Sequence, residues 1–266
     1  MFHINNRIVA GFSLAVFLAC PVSYAADTGT ASAATTTSAQ TASDSAAPTA
    51  KKPVKKKSEA SSAPAQTATA TTTVDMESPE AVRQRSGNGD PVAGKDKSEF
   101  CQGCHGEEGI SSEPTVPKLA GQYASYIIKE LRNFQDGTRV HQIMSDVAKT
   151  VNDDDLTDIA AYFASRTKMK GNGSDNKLGE QLFLHGDMSR MMVACVNCHG
   201  AHGKGKTPTN PVFPVIGGQH KDYLTIQLQN FRAGNRTNSP GGVMNIITQR
   251  LTDAELDALA DYVSGQ

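Results

Sequence analysis

Cys101-Gln102-Gly103-Cys104-His105-Gly106 and Cys195-Val196-Asn197-Cys198-His199-Gly200 are one pattern written twice, 94 residues apart. Working outward from each, the likeness continues. Pro117-Lys118-Leu119-Ala120-Gly121-Gln122 pairs with Pro214-Val215-Ile216-Gly217-Gly218-Gln219 at an offset of 97. Tyr126, Leu131, Asn133, Phe134, Gly137 and Arg139 pair at the same offset with Tyr223, Leu228, Asn230, Phe231, Gly234 and Arg236. Met144, Leu156, Ala160 and Tyr162 then pair with Met244, Leu256, Ala260 and Tyr262 at 100. The offset only grows, so the second copy carries small loop insertions. Two copies of so long a unit describe a duplicated domain rather than a solenoid.

Each copy reads as helical. Tyr123, Tyr126, Ile127, Leu131 and Phe134 form an apolar stripe at helical spacing, and Leu156, Ile159, Ala160 and Phe163 form another. Leu256, Leu259, Ala260 and Val263 repeat the second stripe. Gly137 and Gly234 stand where a helix ends on a residue free to adopt positive φ. Thr252 and Glu255 have the spacing of a capping box that opens the last helix. No alternating β-branched run of useful length exists. The predicted fold class is all-α, with a first domain over 90–168 and a second over 174–266. The stretch Lys168–Asp175, with two glycines and an asparagine between them, reads as the connection.

Cys-x-x-Cys-His is the attachment pattern of c-type haem. Two thiols must add to the two vinyl groups of one porphyrin. At i and i+3 on a helical turn they point the same way, and a histidine at i+4 shares that face. Cys101 and Cys104 are thus predicted to hold one haem with His105 on its iron, and Cys195, Cys198 and His199 a second. The competing chemistries fit less well. A zinc ribbon wants its cysteine pairs roughly 15–20 residues apart, whereas Cys104 and Cys195 are 91 apart. A thioredoxin-like pair wants a βαβ setting. Two structural disulfides leave both histidines and the repeat unexplained.

Met144 and Met244 occupy equivalent places downstream of the two sites and are the candidate sulfur ligands opposite the histidines, an arrangement that raises the potential of such a haem. A lone methionine is more often core filler, but here the repeat favours the pair. His141 has Gly241 as its counterpart at the methionine offset, and His185, His202 and His220 lack partners in the other copy. Met191 and Met192 lie just before Cys195, on the wrong side. Pro117 and Pro214 are either ordinary turn prolines or the source of a carbonyl that fixes each histidine through its other ring nitrogen. Tyr126 and Tyr223 either reach haem propionates or simply pack.

The chain has a formal net charge of −1. Residues 1–74 hold six basic and three acidic side chains, and the remainder 20 basic and 24 acidic. An acidic body argues against nucleic-acid binding. Residues 1–25 read as a signal peptide: Arg7 precedes the apolar run Ile8–Ala19, and Ser23-Tyr24-Ala25 suits cleavage. The alternatives are an uncleaved anchor or lipidation of Cys20. The Ala/Thr/Ser/Lys-rich stretch 26–89 reads as a disordered linker, its large side chains too few to build a core. Its Lys51–Lys57 cluster is either part of a solubilising spacer or a contact for an anionic membrane surface or acidic partner.

From about Asp90 to the C-terminus the chain resembles the dihaem class I cytochromes of the cytochrome c4 family. The likeness rests on Cys101–Gly106, Pro117–Gln122, Tyr126–Arg139, Met144 and Leu156–Tyr162, and on their counterparts, with Leu178-Gly179-Glu180 in addition. The resemblance implies two cytochrome c-like helical domains meeting face to face. It implies His105/Met144 and His199/Met244 as axial pairs of two covalently bound haem c irons. It also implies periplasmic electron carriage from a quinol-oxidising complex to a terminal oxidase. On this reading the protein is an electron carrier and not an enzyme, since a peroxidase or thiosulfate-oxidising cytochrome needs an open iron position and an acid–base pair beside it.

Overall fold

The computed structural model describes residues 77–206, 210 and 212–266. The signal peptide expected at 1–25, the Lys51–Lys57 cluster and the linker up to residue 76 lie outside the described residues. Within them the chain is helical, and the sole β pairing is the isolated bridge Asp187–Met192. The helices are α1 (Pro79–Ser86), α2 (Pro91–Lys97), α3 (Glu99–His105), α4 (Ala124–Asp136), α5 (Met144–Lys149), α6 (Asp153–Ser165), α7 (Lys177–His185), α8 (Val196–His199), α9 (Lys221–Ala233), α10 (Val243–Thr248) and α11 (Asp253–Gly265). The second domain repeats α2–α6 as α7–α11, and α1 has no counterpart.

Local signals place these elements. Gly137 and Gly234 end α4 and α9 in the left-handed conformation, at φ 80° and 77°, where a Cβ is costly. Thr252 and Glu255 make both bonds of the capping box at α11. Leu156, Ile159, Ala160 and Phe163 are buried along α6, and Leu256, Leu259, Ala260 and Val263 along α11. Residues 168–176 are irregular, as the connection should be.

In each domain the first conserved element of the repeat crosses the last: α2 packs on α6, and α7 on α11. Glycine makes both crossings close. A Cβ on Gly94 would stand 2.0 Å from the Asp158 carbonyl oxygen, and one on Gly179 would stand 2.0 Å from that of Ala258. Tyr162 and Tyr262 lie at the same two places.

The linker expectation over 26–89 is corrected at its C-terminal end. Residues 79–86 form α1, which packs against α4 and α6. Ser78 caps it by accepting from Ala81 N, and Pro79 sits at its first position, where a missing N–H costs nothing. Arg85 is buried; its guanidinium donates to the carbonyls of Ala164 and Arg166 and pairs with Glu77. Those bonds satisfy carbonyls at the C-terminal end of α6, and they make α1 part of the first domain.

The two domains meet through a near two-fold arrangement. The Gln122 side chain donates to Val215 O (2.7 Å) and accepts from Val215 N (2.9 Å). Its counterpart Gln219 donates to Lys118 O (2.9 Å) and accepts from Lys118 N (2.9 Å). Lys118 and Val215 are themselves repeat equivalents. The seam is therefore self-complementary in the manner of an isologous dimer interface. Tyr123, Met169 and Val215 form its small buried apolar cluster.

Gly179→Ala forces a methyl into a backbone carbonyl at the α7–α11 crossing. Overpacking of this kind costs about 1–3 kcal/mol, so denaturant unfolding of the haem-loaded protein should show a lower midpoint. An unchanged midpoint would mean the crossing is looser than the structure has it.

Candidate functional site

Cys101, Cys104 and His105 share the last turns of α3; Cys195 caps α8, which carries Cys198 and His199. The i, i+3, i+4 spacing therefore does place two thiols and an imidazole along one helical face in each domain. None of these four cysteines is in a disulfide. Burial pushes the Cys101 thiol up and Cys195 up to about 11. Among the described residues no cluster of three or more His, Cys, Asp or Glu side chains suits a bare metal ion.

Both histidines are buried, and both rings are held in the same way. His105 Nδ1 is 2.8 Å from Pro117 O, and His199 Nδ1 is 3.0 Å from Pro214 O. A carbonyl oxygen can only accept, so Nδ1 carries the proton and Nε2 presents a lone pair. Burial lowers the pKa of both histidines, against the opposing pull of the carbonyls. A neutral, oriented imidazole is the form that ligates iron. Of the two readings of Pro117 and Pro214, the carbonyl acceptor is the one the geometry supports.

The surroundings suit a flat apolar group. In the first domain half-buried Leu119, Ile128, Leu131 and Cys101 pack against a buried cluster built on Ala124, Ile127, Ile159 and Phe163. In the second, Ile216, Leu228 and Cys195 take the same places against Leu182, Phe183, Leu224 and Leu259. The thiols thus stand beside apolar walls formed by equivalent residues in the two copies.

Met144 opens α5 and Met244 lies in the first turn of α10; both are half-buried. The other candidates are engaged elsewhere. His141 is exposed, and its Nδ1 accepts from the backbone of Ile143 and Met144. His202 Nδ1 pairs with Gln266 Oε1, and His220 Nε2 donates to Ser111 O. His185 is exposed on the last residue of α7. Met192 is core, and Met191 points to solvent.

Between the domains lies a polar network, buried at Glu130, Arg236 and Asn238, that engages both Tyr126 and Tyr223. Arg139 donates to Tyr223 Oη (3.2 Å) and Gln227 Oε1 (3.0 Å), and Arg236 donates to Tyr126 Oη (3.0 Å) and Gln227 Oε1 (2.9 Å). Each guanidinium thus reaches the tyrosine of the other domain. Both also bond Glu130 Oε2, at 2.7 Å from Arg139 and 3.2 Å from Arg236. Burial alone would raise the Glu130 pKa; the Arg236, Arg139 and Lys129 charges overcome it and hold the carboxyl at about 2. The repeated Tyr and Arg pairs were visible in the sequence, but their crossing was not. Repeat alignment shows equivalence between the copies and carries no information about which copy a side chain touches.

The family model for cytochrome c matches twice, over residues 92–167 and 177–266. Cytochrome c4 of Pseudomonas aeruginosa is 39% identical over 180 residues, spanning 66% of this chain and 89% of that protein. The thiosulfate dehydrogenase electron acceptor of Thiomonas intermedia is 33% identical over 173 residues, or 62% of this chain and 78% of that one. The crystal structure of reduced recombinant cytochrome c4 from Pseudomonas stutzeri superposes with a TM-score of 0.62 at 38% identity, covering 66% of this chain and 98% of the other. Two haem-attachment turns, two equivalently held histidines and two family matches coincide domain by domain. The chain belongs to the cytochrome c4 family and is a dihaem electron-transfer cytochrome, with its two c-type haems at Cys101/Cys104 and Cys195/Cys198.

Proposed function

We propose that the protein is a periplasmic one-electron relay that takes electrons from a quinol-oxidising complex and delivers them to a terminal oxidase. His105 with Met144 and His199 with Met244 would hold its two haem irons. The observation that carries the reading is the equivalence of the two sites: each histidine is fixed by a proline carbonyl, and each site is followed by a methionine at the start of an equivalent short helix. Each bound haem supplies a one-electron iron couple. The chain's task is to hold and tune it. The cysteines anchor the porphyrin edge, the Nδ1–H bonds aim the ring nitrogens, and the methionine thioethers favour the reduced form and raise the potential. Two protein ligands to each iron would leave no position for a substrate, so the proposed role is carriage and not catalysis. The body's acidic balance supports redox proteins rather than nucleic acids as partners.

Export by residues 1–25 is part of this proposal, as is a membrane-surface or acidic-partner contact through Lys51–Lys57. Among the described residues no helix is long and apolar enough to cross a membrane. Relatives named as thiosulfate dehydrogenase electron acceptors support a second donor, a thiosulfate-oxidising enzyme.

Met144→Ala and Met244→Ala should each abolish the sulfur-to-iron charge-transfer band of one haem and lower that haem's midpoint in a spectroelectrochemical titration. The other haem should be left as it was. A variant that keeps both bands would remove the mutated residue from the ligand set.

The ferric protein should be reduced by a purified quinol-oxidising complex with quinol, and the ferrous protein oxidised by oxidase-containing membranes, at rates that fall with ionic strength. Reduction by a thiosulfate-oxidising enzyme alone would move the donor assignment to that enzyme.

A further inference from the structure

The polar seam between the domains is two-fold in its arginines, tyrosines and asparagines. Arg139 N donates to Asn133 O (2.8 Å), as Arg236 N donates to Asn230 O (3.1 Å). The Arg139 guanidinium lies 4.6 Å from the Phe134 ring centre, and that of Arg236 4.4 Å from Phe231. Each reaches across to the other domain's tyrosine. At the centre the symmetry fails. Position 130 is glutamate, and its repeat equivalent, position 227, is glutamine. Both side chains accept from both guanidiniums. They are nearly the same shape, but only one is charged.

That charge is buried, and it belongs to the first domain. Glu130 lies on α4 one residue before Leu131, an apolar wall beside the Cys101 turn. The network is also tied to both methionine loops. Arg139 stands five residues before Met144, and Arg236 O accepts from the side chain of Asn245, the neighbour of Met244. Arg139 and Arg236, one from each domain, pair with the carboxylate and with Gln227 alike, so they do not distinguish the two copies. Lys129 touches Glu130 Oε1 at 2.7 Å and offsets part of the remaining charge, but its side chain is 20% exposed against 8% for Glu130, so water screens it more.

We infer that Glu130 is a potential-setting residue, whose carboxylate pulls the first haem's reduction potential down relative to the second's and so biases the electron toward the second domain. Oxidation of a haem iron adds one positive charge. A nearby fixed negative charge stabilises the oxidised form, and does so more strongly at shorter range and in a dry interior. An uncharged glutamine at the equivalent place gives the second haem no such bias. The inference rests on the two-haem relay and is independent of which residues supply the sulfur ligands.

The test is a redox titration of the full haem-loaded protein followed by proton NMR, in which the shifted methyl signals of each haem are tracked separately. Glu130→Gln should raise the first potential more than the second. The exchange E130Q/Q227E keeps one carboxylate between two arginines and should lower the second haem relative to the first, reversing the bias. Gln227→Glu alone should lower the second potential, and it serves should the other variants fold poorly. The inference is overturned when the gap is indifferent to these changes or when Glu130→Gln moves the second haem as much as the first. Fewer than two haems in the wild-type protein would instead overturn the relay itself.

Discussion

The carbonyl that holds each histidine belongs to a loop that the opposite domain holds in turn. His105 Nδ1 bonds Pro117 O, and the next residue, Lys118, has its backbone N and O both taken by Gln219 of the second domain. His199 Nδ1 bonds Pro214 O, and Val215 is clamped in the same way by Gln122 of the first. Ring orientation and domain docking are therefore one continuous set of hydrogen bonds. A ligand nitrogen aimed by a carbonyl is only as fixed as the loop that bears the carbonyl. In a lone domain that loop would end at solvent. Here a partner amide fixes it, and a displacement of one domain would be felt at the other domain's imidazole.

The same constraint explains why the seam is polar. An apolar seam would be cheaper to bury, because charges removed from water seldom regain their solvation by pairing alone. Glu130 and Arg236 are buried, Arg139 is half-buried, and the three form a network with Asn238 and the two tyrosines in which every charged group has partners. A network of directed bonds admits one register, whereas apolar surfaces tolerate sliding. Electron exchange between two centres depends on their separation and relative orientation, so a single register is what a relay requires. Apart from the small Tyr123–Met169–Val215 cluster, the apolar contribution comes from within each domain, through the glycine-mediated crossings of α2 on α6 and α7 on α11.

What the sequence disclosed and what it hid divide along a physical line. Cys101, Cys104 and His105, the two stripes, the glycine stops and the Thr252 capping box are local or periodic signals, and the structure has each in its expected place. The proline carbonyls at 117 and 214 were open between two readings, because backbone acceptors leave no side-chain signature. Gln122, Gln219, Arg139 and Arg236 are visible as repeats, yet their partners lie 84–110 residues away in the other copy, where neither periodicity nor spacing reaches. Helix α1 escaped for a different reason. Ser78-Pro79-Glu80 is a respectable helix start, but it adjoins a long stretch without apolar periodicity. What anchors the helix is Arg85, a charged residue that composition assigns to the surface and that the end of α6 buries instead.

Duplication supplies two sites that are alike to within a few tenths of an ångström in their histidine bonds, and a relay needs them to differ. The repeat framework limits where difference can be introduced. Changes at the cysteines, histidines, prolines or crossing glycines would damage one site outright. Changes at the outer surface would be screened by water before they reached either iron. The seam is the remaining place: buried enough for one charge to matter, and symmetric enough that an amide oxygen can take both arginine bonds in the carboxylate's place. Glu130 and Gln227 occupy that place. Lys118 and Val215 differ in side chain, but the two glutamine clamps grip only their backbone, so the clamps themselves are the same in both directions. The clamps thus tolerate a change of side chain at the residue they hold, whereas at the dry centre the side chain itself carries the charge.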